Sequence, residues 1–135
     1  MTLVTWEPGF EMGVEVLDGQ HRALFDVANR LYDAMQRSKG IEEIDRALAA
    51  LYEYSVFHFG DEEALMGRHG FPGLEKHKRL HFEWIGKCAQ LKEKQMDGSF
   101  LVSVELLRFL TNWITTHIKE DDKAFGDFMK SRGLL

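Results

Sequence analysis

Apolar residues recur along this chain at alternating intervals of three and four, the spacing of the buried face of an α-helix, in four separate stretches. Over 18–38 the repeat runs through His21, Leu24, Phe25, Ala28, Leu31, Tyr32 and Met35, with Asp18 as the expected N-cap and Gly40 beyond the end. Over 41–66 it runs through Ile44, Leu48, Leu51, Ser55, His58, Glu62 and Leu65. Gly67, Gly70, Pro72 and Gly73 then interrupt the pattern, which resumes over 74–95 with Leu74, His77, His81, Trp84, Cys88 and Leu91. Asp97, Gly98 and Ser99 predict the next turn, and a fourth helix over 101–119 presents Val102, Leu106, Leu110, Trp113 and His117, with Ile114 and Ile118 alongside. Residues 1–17, with Trp6, Pro8, Gly9, Phe10 and Gly13, hold no sustained period and read as an irregular arm packed on the helices. The segment 120–135, with Phe125, Phe128 and Met129, reads as a short final helix or an extension of the fourth.

Short connections favour antiparallel neighbours, so the expected fold is all-α, an up-down-up-down four-helix bundle in a single domain over 1–135. That topology brings the start of the first helix, the end of the second, the start of the third and the end of the fourth to one end of the bundle. Those are the places where the buried stripe turns polar: His21, then His58 and Glu62, then His77 and His81, then His117, with Asp122 just beyond. Buried imidazoles and carboxylates need partners, and metal ions reconcile them. Seven donors exceed one tetrahedral zinc but suit two octahedral ions if the carboxylates bridge and solvent completes the shells. Imidazole with carboxylate and no thiolate fits iron, with manganese, cobalt or zinc open on spacing alone.

Asp122 follows His117 by five residues, about 140° around a regular helix, so the fourth helix must widen in the π manner there or the side chain must swing from its end. Asp121, at i+4, is the geometric competitor. His69, in a Gly-rich turn, is expected to be solvated, as are Asp61 and Glu63 on either side of Glu62. Lys76, Lys78 and Arg79 are expected to point outward, and Cys88 to fill the core.

Composition narrows the partners. With 135 residues and 44% apolar content the chain can build one core, and a net charge of -5 offers nucleic acid or an anionic membrane no basic face. No stretch approaches a membrane span, the first residues lack the pattern of a signal peptide, and the single cysteine agrees with a reducing compartment; a cytoplasmic monomer is the expectation.

His21, the pair His58 and Glu62, the pair His77 and His81, and the pair His117 and Asp122, together with the opening Asp18-Gly19-Gln20-His21, resemble the hemerythrin family in its single-domain bacterial form. The resemblance covers nearly the whole chain, and its H-x-x-x-x-D pattern selects Asp122 over Asp121. It implies two iron ions: one held by His77, His81 and His117, the other by His21 and His58. Glu62, Asp122 and an oxo or hydroxo group would bridge them, and an open position on the second iron would take O2. The implied function is reversible O2 binding, as a carrier, store or supplier to an oxygen-consuming enzyme. Five neutral imidazoles, two carboxylates and a hydroxide leave a diferrous pair with a charge of about +1, whereas the di-iron carboxylate enzymes of ferritin-like bundles use Glu-rich shells. Phe25, Phe59, Trp113, Ile114 and Ile118 are the expected apolar wall of the O2 pocket. The alternatives are a di-iron oxidase, peroxidase or nitric-oxide-handling enzyme, and an O2 or redox sensor module.

Overall fold

The computed structural model describes residues 4–36, 41–95 and 100–134, with side chains over 4–35, 42–93 and 108–134. A 3-10 turn at Pro8–Phe10 is followed by helices α1 (Glu15–Gln36), α2 (Ile41–Arg68), α3 (Leu74–Gln95) and α4 (Phe100–Thr116). A π-helical segment, His117–Asp122, joins α4 to a last helix, α5 (Lys123–Ser131). The four long helices form the bundle: α1 packs on α2, α2 on α3, and α4 on both α3 and α1. There is no strand among the described residues, and no described helix is long and apolar enough to cross a membrane. The turn at 97–99 and the side chains of Val102 and Leu106 lie outside the described residues.

Helix boundaries follow local chemistry. The first helix, expected from residue 18, begins at Glu15 and places Asp18 inside its first turn, where Glu15 and Asp18 both complement the positive end of the helix dipole. Asp18 is therefore not the N-cap. Its buried carboxylate instead accepts the backbone N–H groups of Met12 (2.9 Å) and Gly13 (3.2 Å), which otherwise lack partners in the incoming arm. Gly13 has φ +93°, a value that disfavours any side chain there. At the far end of α2, two residues past the expected 66, Gly70 turns left-handed (φ +67°), with Gly70 N–H bonded to Gly67 O and Phe71 N–H to Met66 O. That 5→2 and 6→1 pair is a Schellman motif, and it reverses the chain into α3. The fourth helix, expected over 101–119, is regular only to Thr116 and continues through the π segment into α5.

Three apolar clusters surround the histidine-rich level. Leu24, Leu31, Leu48, Leu51, Phe59, Trp84, Cys88, Leu91 and Leu110 fill the bundle on one side of it. Ser55, a polar residue on the buried stripe of α2, is satisfied there: its hydroxyl accepts the Trp84 indole N–H (2.8 Å) and donates to Leu51 O (2.7 Å). Met12, Val14, Leu17, Met66, Phe125 and Met129 close the opposite end, so the arm and α5 plug the bundle together. Phe10, Phe25, Ala28, Ile114 and Ile118 form the third cluster, beneath Trp6.

The plug depends on a backbone-to-backbone approach between α5 and the arm. A Cβ built on Gly126 would stand 2.0 Å from Met12 O, a rigid atom that cannot move aside. Gly126→Ala is expected to destabilise the fold by about 1–3 kcal/mol through overpacking. Thermal unfolding checks this, and an unchanged midpoint would mean that α5 does not seat on the arm as described.

Candidate metal centre

His21 comes from α1, His58 and Glu62 from α2, His77 and His81 from α3, and His117 and Asp122 from the ends of the π segment. All seven are buried, none more than 3% exposed. The sequence periodicity places the first six on the inner stripe, and the π segment accounts for the seventh. Wider turns over His117–Asp122 return the fifth residue to the face that a regular helix would rotate away.

The five imidazoles turn their Nε2 atoms toward two carboxylates, and the carboxylate oxygens divide them. Oε1 of Glu62 faces Nε2 of His77 (2.6 Å) and His81 (3.1 Å), whereas Oε2 faces Nε2 of His21 and His58, both at 3.2 Å. Oδ1 of Asp122 faces His77 (2.8 Å) and His117 (3.2 Å), and Oδ2 faces His21 (3.0 Å). Nε2 of His81 and Nε2 of His117 also approach each other to 3.2 Å. Two donor sets result, one of His77, His81, His117, Glu62 and Asp122 and one of His21, His58 and Glu62, each with its donor atoms within 4.8 Å of one another.

Donor chemistry fits metal ions better than it fits hydrogen bonding. Both oxygens of Asp122 are buried and make no hydrogen bond among the described residues, although imidazole nitrogens lie 2.8 and 3.0 Å away. Close approach without alignment is what atoms aimed at a shared cation show, and an orphaned buried carboxylate is otherwise costly. The fields within the cluster are correspondingly strong. Burial opposes charge on His21, yet Asp122 and Glu62 beside it raise its pKa to about 10. His77 behaves alike: burial lowers its pKa, and the close carboxylates of Asp122 and Glu62 carry it up to about 9. His117 is also raised, mainly by Asp122 against the cost of burial. Burial pushes the Glu62 carboxyl up, but the four facing histidines hold it well below the usual range. Asp122 is held low by His117 and His21 against burial and the neighbouring Glu62.

The outward ring nitrogens meet partners that the periodicity does not reveal. Nδ1 of His81 lies 2.7 Å from Glu63 and Nδ1 of His117 lies 3.2 Å from Asp121. Glu63, expected to be solvated, thus bonds to a cluster histidine. Asp121, the geometric competitor of Asp122, bonds to the outer side of His117 and not to the inner face. Nδ1 of His58 meets the amide oxygen of Gln20 (2.8 Å), whose NH2 donates to Asp61 (2.9 Å), a residue that stays exposed as expected. Tyr54 donates its hydroxyl to Gln20 O (2.8 Å). The signal for these residues was general: an imidazole that gives one nitrogen to a metal usually gives the other to an acceptor. His69 stands apart from both donor sets.

Of the expected wall residues, Phe59 stacks on His81 (centroids 3.8 Å apart, planes within 5°) and Trp113 on His117 (4.1 Å). Phe25, Ile114 and Ile118 lie in the third cluster. Phe10 joins them from the arm, in edge contact with Phe25 at 4.9 Å, a participant that the irregular arm pattern could not foretell.

Comparison with known proteins agrees with this geometry. The model of the hemerythrin HHE cation binding domain matches residues 12–128. The chain is 35% identical to the bacteriohemerythrin of Methylococcus capsulatus, over 93% of this chain and 96% of the relative. It is 31% identical to the myohemerythrin of Riftia pachyptila, over 87% of this chain and 86% of that one. The crystal structure of a wild-type hemerythrin superposes with a TM-score of 0.84 at 35% identity, covering 93% of this chain and 96% of the other. A matching domain over most of the length, relatives that run nearly end to end with it and a shared bundle lead to one conclusion: the chain belongs to the hemerythrin family.

Proposed function

We propose that this chain binds O2 reversibly at a non-haem di-iron centre and serves as a carrier, store or supplier of O2. The observation that carries the proposal is the division of the carboxylates, each of which sends one oxygen toward each group of histidines. On this reading His77, His81 and His117 would hold one iron, His21 and His58 would hold the other, and Glu62 and Asp122 would offer carboxylate oxygens to both. The iron pair supplies reversible two-electron exchange with O2. The protein supplies the rest. Imidazole-rich coordination leaves few anionic donors to favour higher oxidation states, and Phe25, Phe59, Trp113, Ile114 and Ile118 keep water from a site that must return its O2 unchanged.

Iron content with an absorption spectrum tests the proposal. Two irons per chain are expected, with a charge-transfer band that appears in air and disappears on evacuation; steady O2 consumption with reductant, and no reversible band, would make the protein an oxidase instead. His77→Ala is expected to lose iron while His69→Ala keeps it, and retention in the first or loss in the second would break the ligand assignment. Iron should also stabilise the fold, by about 4 kcal/mol at a free concentration a thousand times Kd. A melting temperature that ignores added ferrous iron would contradict this.

Metal loading must displace protons, because an imidazole coordinates only when neutral. His21 and His77, with pKa values raised to about 10 and 9, hold protons at neutral pH in the metal-free protein. Iron affinity is therefore expected to rise with pH up to about that range, with protons released on binding. The metal-free fold should respond in the opposite sense on the alkaline side. Its raised histidines stabilise it fully below their ordinary pKa of 6.5, and that contribution is lost as pH climbs through 9 and 10. Its lowered carboxylates contribute above their ordinary pKa, and their share is lost as acid protonates them. Denaturation and calorimetric titration across pH check both limbs, and an iron affinity flat from pH 6.5 to 9 would contradict the assignment.

A further inference from the structure

The two groups of histidines differ in what stands behind them. On the His77, His81 and His117 side, two rings are backed directly by carboxylates, Glu63 at 2.7 Å from Nδ1 of His81 and Asp121 at 3.2 Å from Nδ1 of His117. Each of these rings is also clamped by an aromatic stack, His81 on Phe59 and His117 on Trp113, so neither is free to turn its outer nitrogen away. On the other side, His58 is backed by the neutral amide of Gln20, and a carboxylate enters only one bond further out, at Asp61. Nδ1 of His21 is buried with no hydrogen-bond partner among the described residues.

We propose, resting on the di-iron reading above, that Glu63 and Asp121 are positioning residues that act through His81 and His117 to make the three-histidine end the more tightly binding and more electron-rich half of the centre. A carboxylate that accepts the Nδ1–H of a coordinating imidazole fixes the tautomer and ring plane and drives electron density toward Nε2. The ring then becomes a stronger donor and stabilises the ferric ion more than the ferrous one. An amide acceptor polarises its ring less, and an unpartnered ring not at all. The asymmetry is thus built twice, in the number of imidazoles and in the charge behind them. Neither Glu63 nor Asp121 needs to touch a metal for this, since both bond to nitrogens on the outer side of their rings.

The test uses the iron-loaded protein and the variants Glu63→Gln and Asp121→Asn, with Glu53→Gln as a control that removes an exposed carboxylate from α2, the helix that carries Glu63. Iron retention is measured by competition with a ferrous chelator, the ferric/ferrous midpoint potential by redox titration, and folding by the melting temperature of the metal-free protein. Each cluster variant is expected to hold iron about tenfold less tightly or worse. Its midpoint potential should move upward, and its metal-free melting should stay close to that of the control. A purely structural role would lower melting without shifting the potential in that direction. If wild-type protein holds two irons while both variants match Glu53→Gln in retention and potential, the inference is overturned and the di-iron reading stands. If wild-type protein holds no iron pair, both fall.

Discussion

Five imidazoles and two carboxylates share one level inside a helical bundle, where none is more than 3% exposed. Water cannot screen them there, and hydrogen bonding satisfies them only in part, since among the described residues both oxygens of Asp122 are left without an aligned donor. Protonation of the histidines compensates the two carboxylates in the protein alone, which is why the pKa values of His21 and His77 are raised so far above the ordinary imidazole range. Cations placed between the two groups would replace those protons, and every donor atom would face a charge it can answer.

Much of the remaining architecture can be understood as holding that level closed. The bundle core supports it from one side through Phe59, Trp84 and their neighbours, and the arm with α5 seals the other through Met12, Phe125 and Met129. Asp18 secures the arm by accepting two of its backbone amides, and Gly126 lets α5 lie against that arm without a side chain between them. The π segment departs from regular helix, and it runs from one cluster residue to another, His117 to Asp122. Its irregularity has a clear return in geometry, since it turns both His117 and Asp122 inward.

The bundle and the level of the cluster were legible in the sequence because burial imposes a period and the polar residues interrupt that period at matching ends. His58 and Glu62, or His77 and His81, announce themselves by standing where leucine would serve. Asp122 was less legible: its five-residue separation from His117 suits no regular helix, and only the observed widening decides between the π route and a swung side chain. Asp18 was misplaced as a cap because residue type before an apolar run suggests one, whereas two arm amides made an acceptor more valuable one turn inside the helix. Glu63, Asp121 and Gln20 were missed for a different reason. Their bonds to outer ring nitrogens depend on side-chain directions and, for Glu63 and Gln20, on how neighbouring helices face each other, and no one-dimensional period records that.

Anomalous diffraction at the iron edge from crystals of the iron-loaded protein bears most directly on the central claim. Two peaks are expected about 3.5–4 Å apart, the separation usual in two-metal sites. One should lie among His77, His81 and His117 and the other beside His21 and His58, with Glu62 and Asp122 reaching both. A single peak, a pair elsewhere, or a cluster closed around water alone would contradict the account.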